Sequence, residues 1–247
     1  NDHLASVKWL DFRDDPIHEG LRQGDFDGLS QVEEMRLRGE SIFSFPDRIF
    51  EPLENLKQLQ MAELGLKAIS ADIFRKNNKL RKISLAQNRL ESLPGDLFGS
   101  TPLLRDLSLH GNQLTSVPEN LFDGLALLEG LSLGIEWPNN PIQNLSRRHF
   151  RDLSKLRYLI LDGMRLKTIP KDLLQDLRSL QKIYLSENDF LEIPEGLFAG
   201  LTHLATVDIA RCRSLVVLPG NLFQDNKKMI SIDISQNIIE VLPATLF

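Results

Sequence analysis

The side chains able to do chemistry are few in this chain, and their spacing does not suit a reaction. Five histidines, His3, His18, His110, His149 and His203, are scattered along 247 residues. None falls at the short His/Cys spacings that bind a metal. Serines recur at matching points (Ser84, Ser108, Ser132), but no base accompanies them in sequence, and a hydroxyl without a base is a weak nucleophile. Cys212 is the sole cysteine, so no internal disulfide forms, and one thiol says little about redox compartment. A glycine-rich phosphate loop is missing too. The expectation is no catalytic residue, no metal and no cofactor.

What positions all of these residues is a repeat. An apolar pattern of about 24 residues recurs, with copies starting at Val7, Val32, Leu56, Leu80, Leu104, Leu128, Leu156, Leu180, Leu204 and Met229. One clean copy reads Leu104, Leu107, Leu109, Asn112, Leu114, Val117, Pro118, Leu121, Phe122, Leu125. A fixed period means a solenoid, in which each unit buries its apolar face against its neighbours. The predicted fold is one α/β solenoid domain over residues 1–247. It is a curved array of about ten repeats, with a parallel β-sheet on the concave face and loops and short helical turns on the convex face. Ten strands roughly 4.8 Å apart would give a sheet on the order of 45 Å long.

Each part of the repeat has a physical duty. Paired residues such as Leu107 and Leu109, or Ile183 and Leu185, alternate with polar ones and so point inward from a strand. An Asn follows at Asn88, Asn112, Asn188 and Asn237, and at Asn140 once a four-residue insertion is allowed. There the chain leaves the strand, and an Asn side chain both donates to and accepts from the stranded backbone. Asp15 is placed to accept similarly, and Cys212 takes the Asn position as a structural residue. Leu64 and Met164 cannot do this, so the ladder should break there. Phe26, Phe50, Phe74, Phe98, Phe122, Phe150, Phe198, Phe223 and Phe247 share one offset, with Leu174 the exception. They should stack as an aromatic spine. Prolines before them (Pro94, Pro118, Pro170, Pro194) fix φ at the start of short turns.

The LxxLxLxxNxL pattern over residues 7–247 resembles leucine-rich-repeat proteins. Within that family, Leu93-Pro94-Gly95-Asp96-Leu97-Phe98 and Leu242-Pro243-Ala244-Thr245-Leu246-Phe247 resemble repeats of insect-type Toll receptor ectodomains. This resemblance implies a cell-surface receptor in innate immune or developmental signalling. Its ectodomain would bind a cytokine-like or pathogen-derived protein, dimerise, and signal through a cytoplasmic domain. The chain departs from the family in lacking cysteine-rich caps, a membrane helix and a signalling domain, and its tenth repeat stops mid-unit. A fragment of a longer ectodomain is the reading this suggests. The alternative is an extracellular matrix or adhesion protein whose solenoid is a scaffold.

The outward strand positions have no structural duty and are free to bind. Tyr158, Ile160 and Asp162 lie on one strand, and Tyr184 is the equivalent of Ile160 one strand on. An exposed Tyr–Ile–Tyr group is the kind of patch that anchors a partner; the plainer alternative is scattered surface residues. Arg13, Arg36 and Arg38 are further candidates, unless they serve to pair with Asp11, Glu33 and Glu34. The insertion Gly134-Ile135-Glu136-Trp137-Pro138-Asn139-Asn140 should bulge near one edge of the concave face, with Trp137 as a contact residue or as cover for the next loop. Asn144-Leu145-Ser146 is a glycosylation sequon whose Asn144 should face solvent. The formal charge is −5, with 15 basic and 20 acidic residues in 1–127 and 14 of each in 128–247. That balance argues against nucleic acid, which calls for a basic field. No run of 18 apolar residues exists, so no membrane contact by this segment is expected. The expected partner is a protein, held on the concave face or an edge.

Overall fold

The computed structural model describes residues 4–12, 20–39, 42–135 and 140–246. Arg13, Asp15, Trp137 and Phe247 lie outside them. One parallel sheet contains ten strands in chain order: β1 (Trp9–Phe12), β2 (Glu34–Leu37), β3 (Gln58–Met61), β4 (Lys82–Ser84), β5 (Asp106–Ser108), β6 (Gly130–Ser132), β7 (Tyr158–Ile160), β8 (Lys182–Tyr184), β9 (Thr206–Asp208) and β10 (Ser231–Asp233). Each pairs in register with the next, so Leu59, Ile83, Leu107, Leu131, Leu159, Ile183 and Val207 form one inward row. All seven are buried. The repeat therefore specifies the register as well as the fold. A slip of one residue would turn this whole row to water.

Among the described residues the return segments are turns with one short α-helix, α1 (Arg147–Phe150). The described rings of the phenylalanine spine are buried, including Phe98, Phe122 and Phe198. They stack pairwise, Phe26 on Phe50, Phe74 on Phe98, Phe122 on Phe150 and Phe198 on Phe223, at centroid distances of 6.0, 6.1, 6.2 and 5.7 Å. Each fully buried ring contributes roughly 1.5–3 kcal/mol.

The asparagine ladder forms as the spacing predicts. In Asn188 the amide nitrogen donates to Leu161 O and Leu185 O, both at 2.9 Å, and Oδ1 accepts from Leu166 N at 3.0 Å. Asn88, Asn112, Asn140 and Asn237 repeat the scheme. Cys212 substitutes partially, its thiol donating to Leu185 O at 3.4 Å. Leu64 and Met164 are fully buried hydrocarbon at this position. The residue before it adopts positive φ in Glu63, Gln87, Gly111, Gly163, Glu187, Arg211 and Gln236, which is what swings the chain off the sheet.

Candidate functional site

The concave face presents rows of side chains set by strand register. One row runs Ser84, Ser108, Ser132, Ile160, Tyr184, Asp208, Asp233. Ile160 and Tyr184 are therefore direct cross-strand neighbours, as their spacing predicts. Tyr158 occupies the adjoining row between Gly130 and Lys182. Tyr158 is exposed, while Ile160 and Tyr184 are half-buried.

The patch is less purely apolar than its sequence suggests. Arg157 Cζ lies 5.6 Å and Lys182 Nζ 5.7 Å from the Tyr158 ring centroid, both within cation–π range. On the opposite side the strand ends are acidic. Asp162 is half-buried and accepts from Ser186 N at 2.7 Å. The Ser186 hydroxyl donates to Asp208, and Ala210 N donates to Asp208 at 3.0 Å. Burial pushes the Asp162 carboxyl up to about 7, with the Ser186 amide opposing it and Asp208 and Glu187 reinforcing it. Strands β7–β10 thus carry an apolar group with cations against Tyr158, while the row of Ile160 and Tyr184 continues into the carboxylates of Asp208 and Asp233.

Arg13 lies outside the described residues; Arg36, Arg38, Glu33 and Glu34 meet partners other than the expected ones. Glu33 pairs with Lys57 at 2.7 Å, Gln58 hydrogen-bonds Glu34 at 3.1 Å, and Arg38 pairs with Glu63 at 2.5 Å. Arg36 lies 6.0 Å from the Trp9 ring. In every case the partner lies in a neighbouring repeat. Arg36 and Arg38 stand five repeats from Tyr158, so the structure does not join them to that patch.

One further placement corrects the sequence reading. A base does stand beside a serine: His110 Nδ1 is 3.0 Å from Ser132 Oγ. Ser132 is buried and its hydroxyl donates to Gly134 O at 3.0 Å. The pair closes the foot of the insertion, and burial lowers the His110 pKa. It was missed because the two residues are 22 apart and meet through register. Cys212 is buried, and burial raises its thiol to about 11, which suits structure and not reactivity. Asn144 is exposed on the flank of the solenoid. Among the described residues, no cluster of three His, Cys, Asp or Glu side chains is placed to hold a metal, and no helix is long and apolar enough to cross a membrane.

Comparison with known proteins adds to this geometry. A family model described as leucine rich repeat matches residues 78–134, 137–190 and 154–213. Leucine-rich repeat-containing G-protein coupled receptor 5 of Rattus norvegicus is 31% identical over 104 residues, which are 42% of this chain and 11% of that receptor. Among solved structures, a TLR13–ssRNA13 complex superposes with a TM-score of 0.82 at 22% identity, over 97% of this chain and 37% of that one. The glycosylated Toll–Spätzle complex from Drosophila gives 0.77 at 19% identity, over 96% of this chain and 36% of that one. These structural likenesses show the fold, and the chain spans about a third of those solved chains.

Proposed function

The chain belongs to the leucine-rich-repeat family, and from that premise we propose that it is part of a cell-surface, Toll-type receptor ectodomain that recognises a protein ligand. Its work is binding and assembly, without chemical turnover. The observation that carries this reading is the Tyr158–Ile160–Tyr184 group, held side by side on the concave sheet. Aromatic residues dominate interface energy when a partner excludes water from them. Arg157 and Lys182 beside Tyr158, with Asp208 and Asp233 following Tyr184 along its row, favour a ligand that carries both signs of charge. A nucleic acid calls for a continuous basic field, and this stretch of the face is dipolar. The likeness in fold to Toll, solved with Spätzle, supports a protein ligand; the TLR13 complex with single-stranded RNA makes RNA the alternative to exclude.

Both are tested on the immobilised chain by surface plasmon resonance. Spätzle is expected to bind, and replacing Tyr158 and Tyr184 together by Ala should weaken it by about tenfold or more. Single-stranded RNA should not bind at physiological ionic strength. Unchanged Spätzle affinity in the double variant removes this patch from the binding site, and RNA binding alone replaces the protein reading.

A further inference from the structure

After each spine ring the chain crosses the edge of the solenoid that leads into the next strand. One such crossing is entirely basic. Residues 75–82 read Arg75-Lys76-Asn77-Asn78-Lys79-Leu80-Arg81-Lys82, with five cations and no carboxylate, in the half of the chain that holds the acidic excess. Asn77 and Leu80 are buried. The Asn77 amide donates to Phe50 O and Leu53 O of the preceding repeat, which pins the segment and turns the other side chains outward. Arg75, Lys76, Lys79, Arg81 and Lys82 are all exposed. The same stretch after other rings is mixed or acidic: Glu51, Glu54 and Lys57 after Phe50, Arg105 and Asp106 after Phe98, Asp123 and Glu129 after Phe122. Interspersed signs make an ordinary solvated surface; a strip of one sign makes a local field.

The cations are crowded as well as numerous. Lys57, Arg81 and Arg105 share one column: Arg81 N donates to Lys57 O at 2.7 Å, and Arg105 N donates to Arg81 O at 2.8 Å. Backbones in such a column stand about 4.8 Å apart, well inside the Debye length of about 8 Å at physiological salt. Like charges so placed repel. The outer two are relieved, Lys57 by Glu33 at 2.7 Å and Arg105 by Glu129. Arg75 pairs with Asp72 at 3.8 Å. Among the described residues no carboxylate pairs with Lys76, Lys79, Arg81 or Lys82. Lys79 Nζ donates to Asn55 Oδ1 at 2.6 Å, a neutral partner. Asp106 lies across from Lys82 in register, but its carboxylate leans to the far side, over Gly130. Glu51 is held by Arg48 at 3.8 Å, and Glu54, one repeat before Asn78, bounds the strip on that side.

We propose that the strip from Arg75 to Lys82 binds a sulfated polysaccharide. A polymer with closely spaced, fixed sulfates supplies the negative charge that this crowding lacks, and guanidinium and ammonium groups both donate to such oxyanions. A nucleic acid would match the charge, but grooves that hold single strands interleave aromatic rings on which bases stack. Here the ring of the repeat, Phe74, is fully buried, and no aromatic residue stands among the exposed ones. A protein partner calls for an anchor such as an aromatic side chain, and the one apolar residue of the run, Leu80, is buried. The chain as a whole carries −5, so its net field repels a polyanion and affinity has to come from a local strip. Only the source of the polymer, chains displayed at the cell surface, rests on the receptor reading above. The strip leads into β4, three strands from Tyr158 on β7, so the polysaccharide and a concave-face ligand occupy separate surfaces.

Surface plasmon resonance of the 247-residue chain over immobilised heparin tests the proposal. Binding is expected at about 0.15 M salt, with log affinity falling linearly as log salt rises, because each ion pair releases counterions. Replacing Lys79, Arg81 and Lys82 together by Ser should weaken it about tenfold or more and flatten the salt dependence. Circular dichroism should not change, because all three residues face water. Lys79→Arg with Lys82→Arg should retain binding. Lys227→Ser with Lys228→Ser removes two exposed lysines at the same edge of the ninth repeat and should leave binding unaltered. Hyaluronan, which carries carboxylates but no sulfate, and single-stranded RNA should not bind at that salt. Absence of heparin binding, binding that survives the triple replacement, or an equal loss in the Lys227 and Lys228 variant would each overturn the proposal. So would RNA held as tightly as heparin, which would make the strip a nucleic-acid site, or hyaluronan held as tightly, which would leave sulfate no role. None of these outcomes depends on whether Spätzle binds the concave patch.

Discussion

Asp162 shows how far one side chain can depart from its sequence appearance. By spacing it is an outward strand residue, free for a ligand. In the fold it is half-buried beside Gly134, its carboxylate held by the Ser186 amide. Its pKa is raised to about 7, chiefly by burial. The protonated form is thus the one the fold favours. The stability this group supplies is complete below its unfolded pKa of about 4 and is lost as pH rises through about 7. Asp162→Asn keeps an oxygen for Ser186 N and removes the titration. Urea unfolding at several pH values should show the parent chain losing on the order of 2 kcal/mol between about pH 4 and 8, with the variant nearly level. Parallel stability–pH curves would show that the charge is not felt. Alternation along a strand indicates which way a residue points but not what lies over it. For the same reason, the meeting of His110 and Ser132 and the true partners of Glu33 and Arg38 had no sequence signal.

Elements that follow the period were readable in advance, and those that break it were readable in part. The Asn ladder and the phenylalanine spine follow from fixed offsets, because each repeat presents the same backbone geometry to the next. A second polar ladder went unread. Asn77 donates to Phe50 O at 2.8 Å and Leu53 O at 3.0 Å, and Asn226 donates to Phe198 O and Leu201 O at 3.1 and 3.0 Å. Both take the place three after the spine ring where Leu53, Leu125, Leu153 and Leu201 stand in other repeats. That replacement was the available clue. The insertion after β6 was placed correctly at its root, where Gly134 N donates to Ile160 O at 3.2 Å. A Cβ at Gly134 would collide with the backbone oxygen of Asp162 and come within 2.8 Å of its nitrogen. Both atoms belong to the chain just past β7 and have little room to retreat. Gly134→Ala should cost about 1–3 kcal/mol, read as a lower melting temperature. A melting temperature at the parental value would mean that the insertion shifts freely on the sheet.

At the scale of the whole molecule, the period specifies a stack whose units hold only their neighbours. Stability is then close to a sum of repeat and interface terms, and opening is local. That is why one family of spacings sufficed for the fold and for the placing of Ile160 beside Tyr184. The repeat signature constrains buried positions and says nothing about the columns between them. Cys212 provides an internal reporter for this architecture. It is buried in the ninth of ten repeats, its thiol raised to about 11, so a disulfide reagent reaches it only when that region opens. Phe122, in the fifth repeat, stacks on Phe150 at 6.2 Å, and Phe122→Ala should cost roughly 3–5 kcal/mol locally. In a stack of nearest-neighbour units, the urea dependence of Cys212 labelling should be unchanged by that substitution, while loss of the far-ultraviolet dichroism signal moves to lower urea. If labelling and dichroism instead shifted together, the ten repeats would be unfolding as one cooperative unit, and a defect anywhere in the array would reach the concave patch.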